Sequence, residues 1–217
     1  ADDGAARLSS DLTAAIDLGI GHISAYQLTI EEHTAFAKAQ ARGEARSCSD
    51  EVSADLFELA GELLGGAGFE RYEVSNFAKT KADQARHNLL YWHGEDYAGI
   101  GPGAHGRLTI KGQRSATIAA KTPSGYIQTV QSDGRGIAEQ HILSPQERAE
   151  EYVLMGLRLS SGISLARLSA IYPGALNERA ASLYTRQGLL ESDSGYLRAT
   201  EDGRLVLDRL CAEILAH

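Results

Sequence analysis

The sequence predicts an α/β fold in its N-terminal part, followed by a smaller α+β module of helices and a hairpin. Helix-like and strand-like segments alternate from Leu8 to Val74, with glycines at the changeovers, which predicts the first. After Ser144, helical periodicity recurs with one hairpin signature before the last helix, which predicts the second. The chain has 217 residues and is 43% hydrophobic. That suffices for one large or two small cores at about 100–200 residues per domain.

Taken in order, Leu8, Leu12, Ala15 and Ile16 fall on one helical face, and Gly19 and Gly21 end that helix. His22 to Leu28 reads as a strand of β-branched and aromatic residues, with Tyr26 packed in the core. Ser49 or Asp50 can cap a helix in which Val52, Leu56, Leu59 and Leu63 recur at helical spacing, stopped by Gly65-Gly66. Phe69 to Val74 reads as a second strand. Helix, strand, helix, strand implies parallel strands joined by helical crossovers. In the last third, Ser144 caps a helix with Pro145 in its first turn, and Leu165, Leu168 and Ile171 mark a short one. Leu176, Ala180, Leu183 and Tyr184 mark another. Leu189-Leu190-Glu191 and Tyr196-Leu197-Arg198 form a hairpin about the turn Ser192-Asp193-Ser194-Gly195, and Thr200 caps a final helix carrying Val206, Leu210 and Ile214. This order of helices and hairpin is a winged-helix pattern.

A winged-helix pattern raises DNA binding, and charge argues against it. The chain carries a formal charge of −8, and residues 144–217 hold eight Arg and no Lys against ten Asp plus Glu. Phosphate contacts, which supply most nonspecific affinity, need a basic face. No nucleic-acid partner is expected. The two cysteines, Cys48 and Cys211, lie far apart without close Cys or His neighbours, which suits a reducing cytoplasm. No run of about 20 apolar residues is present to span a membrane. The chain opens on Ala1 and has a single methionine, Met155, so a piece of a longer protein is expected.

The segment that carries chemistry is His87-Asn88-Leu89-Leu90-Tyr91-Trp92, with the only Trp of the chain. An imidazole beside two large aromatic rings can hold a flat, apolar, iron-bearing ring. It can equally be a core histidine packed among aromatics. If the segment is helical, His87 and Tyr91 lie four apart on one face. His93 competes as a ligand if the backbone is extended. His105, in the loop Gly101-Pro102-Gly103-Ala104-His105-Gly106, competes because glycines permit close approach. The glycine run is no phosphate loop, since no Lys-Ser or Lys-Thr follows it. His22 and His33 read as structural.

Four ordered blocks carry a family resemblance: Ser24 to Glu31, Tyr72 to Ala78, His87 to Trp92, and Tyr97 to His105. Together they resemble the HemW family, the haem-chaperone branch of the radical S-adenosylmethionine proteins, akin to oxygen-independent coproporphyrinogen III oxidase. Leu157-Arg158-Leu159 with Gly162-Ile163 fits the same family's C-terminal domain. The resemblance implies the last βα units of a partial (β/α) barrel in residues 1–112, a connector in 113–143, and a winged-helix-like C-terminal domain in 144–217. It implies haem bound by His87 as axial iron ligand, with Asn88, Tyr91 and Trp92 around it and His105 as an alternative contact. Thr29, at a strand end where barrel sites gather, is implied to approach S-adenosylmethionine, or else to cap the following helix.

In the intact family a three-cysteine loop holds a [4Fe–4S] cluster. That loop has no counterpart between Ala1 and His217, so the cluster's ligands are missing from this chain. The implied function is binding and delivery of haem to acceptor haem proteins of respiration, with a transient membrane-associated partner. The alternative is radical decarboxylation of coproporphyrinogen propionates. An exposed strand, left by missing barrel neighbours, implies self-association.

Overall fold

The computed structural model describes residues 4–28, 30–44 and 48–216. They form two compact units, Ala1–Gln84 and Ala85–His217.

In the first unit, α1 (Gly4–Asp17) precedes a short strand, β1 (His22–Ser24). The helix buries Leu12 in a cluster with Ile23, Ala60, Leu64, Phe69 and Phe77, flanked by Leu8, Ala15 and Ile16. Helix α2 (Ala35–Ala41) follows, capped by Thr34, whose hydroxyl accepts from the Ala37 N–H at 3.1 Å. The cap expected from Thr29 is thus supplied five residues later, and Thr29 itself lies outside the described residues. Helix α3 (Asp50–Gly66) begins after Ser49, whose hydroxyl accepts from the Val52 N–H, and ends on the expected glycine pair, with Ala67 as its C-cap.

Strands β2 (Glu70–Glu73) and β3 (Asn76–Ala78) complete the sheet in the order β1-β3-β2. Both pairings are antiparallel. The expected parallel strands β1 and β2 do run the same way, but they are not neighbours: the return strand β3 is wedged between them. A buried polar knot fixes the wedge. The Glu73 carboxylate accepts from the Ser75 N–H at 2.9 Å and from the Asn76 amide, whose oxygen accepts from the Ser24 hydroxyl. Glu73 and Asn76 are each only 2% exposed, so these bonds satisfy groups that burial would otherwise penalise. The ladder of β1 stops at Ser24, four residues short of the expected strand. Tyr26, beyond it, is 72% exposed and not in the core.

The second unit begins with α4 (Arg86–Trp92), then a three-stranded antiparallel sheet of β4 (His105–Ile110), β5 (Gln113–Ala119) and β6 (Ile137–Ile142). Helix α5 (Pro123–Asp133) links β5 to β6 and ends on Gly134 in the left-handed region. Residues 113–143, read from sequence as a connector, therefore contain two strands and a helix. Strand β5 is central, and alternate residues Ser115, Thr117 and Ala119 are buried.

Helix α6 (Pro145–Gly156) opens with a full capping box. Ser144 accepts from the Glu147 N–H, and Glu147 accepts from the Ser144 N–H at 2.8 Å. Strand β7 (Ile163–Ser164), α7 (Leu165–Ile171) and α8 (Glu178–Arg186) lead into the hairpin β8 (Leu190–Asp193) and β9 (Tyr196–Ala199). Ser194 and Gly195 both have positive φ, as a two-residue hairpin turn requires. The small sheet has the order β7-β9-β8. The expected last helix is broken at Val206 into α9 (Glu201–Leu205) and α10 (Leu207–Ile214). Val153, Leu157, Ile163, Leu190, Leu197, Leu210 and Ile214 form the buried centre. Each such side chain contributes about 1.5–3 kcal/mol by leaving water.

Candidate functional site

Helix α4 is the element on which the sequence-predicted residues meet. It is helical, the condition under which His87 and Tyr91 share a face, and packs against α6. The His87 and Tyr91 rings stand edge-on at 84° with centroids 6.2 Å apart. Tyr91 in turn meets Tyr97 at 88° and 4.6 Å. Edge-to-face pairs of this kind put a positive ring edge against a negative face. His87 is exposed, Asn88 half-buried, and Tyr91 39% exposed. Trp92 is half-buried, with the Arg158 guanidinium 5.5 Å above its ring. Its indole N–H is buried and has no acceptor.

Tyr97 joins the site although its only mark in the sequence is its place at the start of the glycine run. It exchanges both backbone hydrogen bonds with Arg107, N–H to O at 2.7 and 2.8 Å, and so closes the glycine run as a loop. Two glycines make the closure possible by lacking side chains. A Cβ on Gly99 would strike the His105 carbonyl, and one on Gly106 would lie 2.6 Å from the Thr117 hydroxyl. Burial pushes the Tyr97 phenol above its ordinary range.

A cavity of about 260 Å³ opens between Tyr91, Trp92 and Tyr97 on one side and Tyr152, Met155 and Ile171 on the other. Whole-ligand sites usually measure about 300–1,000 Å³. The cavity therefore falls short of the size of a whole-ligand site. His87 is exposed, and its imidazole beside the Tyr91 and Trp92 rings is a donor set that would fit a haem iron and its apolar ring.

The other candidates are placed differently. His93 is the C-cap of α4, half-buried, with its N–H on the Leu89 carbonyl at 2.9 Å. His105 is exposed but belongs to no free loop: it opens β4 and pairs with Ile118. His22 is structural as expected, its Nε2 3.0 Å from the Tyr72 hydroxyl. For an iron–sulfur cluster the described residues do not fit. Cys48 is exposed in the first unit, Cys211 is buried in the second, and no described group of three or more His, Cys, Asp or Glu is arranged for a metal. No described helix is long and apolar enough to cross a membrane.

Comparison with known proteins shows what this arrangement of helices, short sheets and an exposed imidazole is similar to. Residues 143–206 match the HemN C-terminal domain family. The solved structure of Escherichia coli coproporphyrinogen III oxidase (HemN), described as a radical SAM enzyme, superposes with a TM-score of 0.67 over 93% of this chain and 49% of its own, at 15% identity. That likeness is one of fold.

Sequence is more specific. The heme chaperone HemW of Mycobacterium tuberculosis is 36% identical over 96% of this chain and 51% of its own length. The mitochondrial radical S-adenosyl methionine domain-containing protein 1 of Danio rerio is 38% identical over 89% of this chain and 46% of its own. The chain is thus a relative of the HemW-type, HemN-like radical S-adenosylmethionine proteins, as the four sequence blocks implied. It spans about half the length of these curated relatives.

Proposed function

We propose that this chain is the haem-holding portion of a haem chaperone, with His87 as axial ligand to the iron. The observation that carries the reading is the exposed His87 ring on α4, set edge-on to Tyr91. An imidazole nitrogen supplies the iron ligand, the Tyr91 and Trp92 rings supply apolar cover, and Asn88 supplies a polar contact at the ring edge. Relatives named heme chaperones at 36% and 29% identity support delivery as the function. Coproporphyrinogen oxidation is the weaker reading, because it leans on a likeness of fold alone.

On the same reading, residues 1–112 include the last units of a partial (β/α) barrel and 144–217 form a winged-helix-like domain, with the strands and helix of 113–143 between them. The intact family's S-adenosylmethionine and [4Fe–4S] cluster belong to the same reading, with Thr29, which lies outside the described residues, assigned to the former and His105 to a secondary haem contact. The whole protein works in the cytoplasm. It passes haem to acceptor proteins of respiration through a transient contact at a membrane, and open strand β1 pairs with another copy.

A haemin titration followed by absorbance, with His87→Ala beside the parent chain, tests the proposal. Saturable binding near one equivalent that the substitution abolishes, with circular dichroism unchanged, is expected. An identical titration in the variant overturns His87 as the ligand.

A further inference from the structure

The cavity beside α4 has a charge out of keeping with the rest of the molecule. The chain is acidic overall at −8, yet the cavity lining carries Arg107, Arg114, Arg148 and Arg167 against one carboxylate, Glu151. Two of the four guanidinium groups are already engaged. Arg107 is bound to Glu151 at 2.6 Å, and Arg114 donates to Asp96 at 2.9 Å and to the Glu95 carbonyl at 3.1 Å.

The other two have no carboxylate partner among the described residues. Arg148 is half-buried on α6. Arg167, on α7, lies with its guanidinium 4.6 Å from the centre of the Tyr152 ring, a contact that holds the group in place without neutralising it. Burial lowers the affinity of Arg114 for its proton, and the neighbouring charge of Arg148 lowers it further. Like charges gathered round a small cavity repel one another, and an anion between them relieves that repulsion.

We infer that this cavity is a carboxylate site in which Arg148 and Arg167 receive a propionate arm of the tetrapyrrole that α4 holds. The inference rests on the haem reading for the identity of the ligand's body, but not for the cavity's preference for an anion. A guanidinium fork matches a carboxylate through two parallel hydrogen bonds. The cavity's size selects one acidic arm rather than a whole ligand. Its aromatic wall, Tyr91 with Trp92, adjoins the His87 ring, so an apolar body over α4 and an acidic arm among the arginines belong to one molecule.

Metal-free protoporphyrin IX and its dimethyl ester test this independently of the iron ligand. They are titrated in the same cosolvent against the 217-residue chain, the double variant Arg148→Gln/Arg167→Gln, and His87→Ala. The diacid is expected to bind the parent chain about tenfold or more tightly than the ester, a preference that the double variant loses and His87→Ala keeps. Arg148→Lys/Arg167→Lys is expected to keep part of it, which separates lost charge from lost folding. Equal binding of diacid and ester to the parent chain, or an undiminished preference in the double variant, overturns the inference. So does inorganic phosphate binding more tightly than the diacid, which would assign the cavity to a free oxyanion. If His87→Ala leaves haemin binding intact while the diacid preference persists, the iron-ligand reading fails and the carboxylate site stands.

Discussion

Arg107 on β4 holds Glu151 on α6 through paired hydrogen bonds, Nη2 to Oε1 at 2.6 Å and Nε to Oε2 at 3.1 Å. The two side chains are 19% and 27% exposed, so the pair is partly shielded from water. Its carboxylate holds the Arg107 guanidinium above its ordinary value. The bond ties the sheet to the helix that walls the cavity. Glu151→Ala leaves Arg107 without its anion and is expected to cost about 1–3 kcal/mol. A urea midpoint unchanged from the parent chain would show that the pair contributes nothing.

Gly106 is packed too closely to carry a side chain. A Cβ there would lie 2.6 Å from the Thr117 hydroxyl and 2.9 Å from the Gly99 nitrogen. Gly106→Ala is therefore expected to destabilise the second unit by about 1–3 kcal/mol through overpacking, and to loosen the Tyr97–Arg107 clamp. Hydrogen exchange at the Tyr97 and Arg107 amides measures the second effect directly, and should speed up in the variant.

Glu147 sets an acid limb on stability. Its carboxyl is held down to about 2 by the Ser144 backbone N–H, the Ser144 hydroxyl and His141. A carboxyl depressed on folding contributes stability that is complete above its unfolded value near 4.5 and is lost as pH falls through the folded value. The stability difference between the parent chain and Glu147→Gln should shrink as pH falls from about 5 to 2. Denaturation curves with a constant difference across that window would refute this.

The two thiols should behave oppositely toward alkylation. Cys48 is exposed, whereas burial raises Cys211 to about 11 and shields it. Iodoacetamide at mildly alkaline pH is expected to modify Cys48 in the folded chain and Cys211 only after denaturation. Cys48→Ser should then abolish labelling of the native protein, as peptide mass mapping would show.

Much of this was readable in the sequence where the signal is local. Ser49 and Ser144 cap the helices expected of them, and the hairpin expected about Ser192 to Gly195 forms, with its turn tightened to Ser194-Gly195 because Ser192 and Asp193 extend β8. Strand β3 was missed because its placement depends on a knot joining Ser24 to Asn76 and Glu73, residues that meet only after the chain returns. The sheet from β4 to β6 was missed because its buried positions include Ser115 and Thr117, small polar residues that do not mark a core in sequence. The arginine-lined cavity was invisible for a related reason. Arg107, Arg114, Arg148 and Arg167 come from four separate elements, and nothing in their spacing brings them together. Family resemblance supplied the role proposed for His87, which local pattern alone left open against a packed core histidine.

Because Trp92 is the sole indole of the chain and sits on the same short helix as His87, the protein carries its own optical gauge at the proposed site. Its fluorescence arises from one place, with a guanidinium over the ring and a cavity at its edge. A porphyrin arriving on α4 would quench that emission by energy transfer, and unfolding would shift its colour as water reaches the ring. Occupancy and integrity can thus be followed in an unlabelled molecule, in one cuvette.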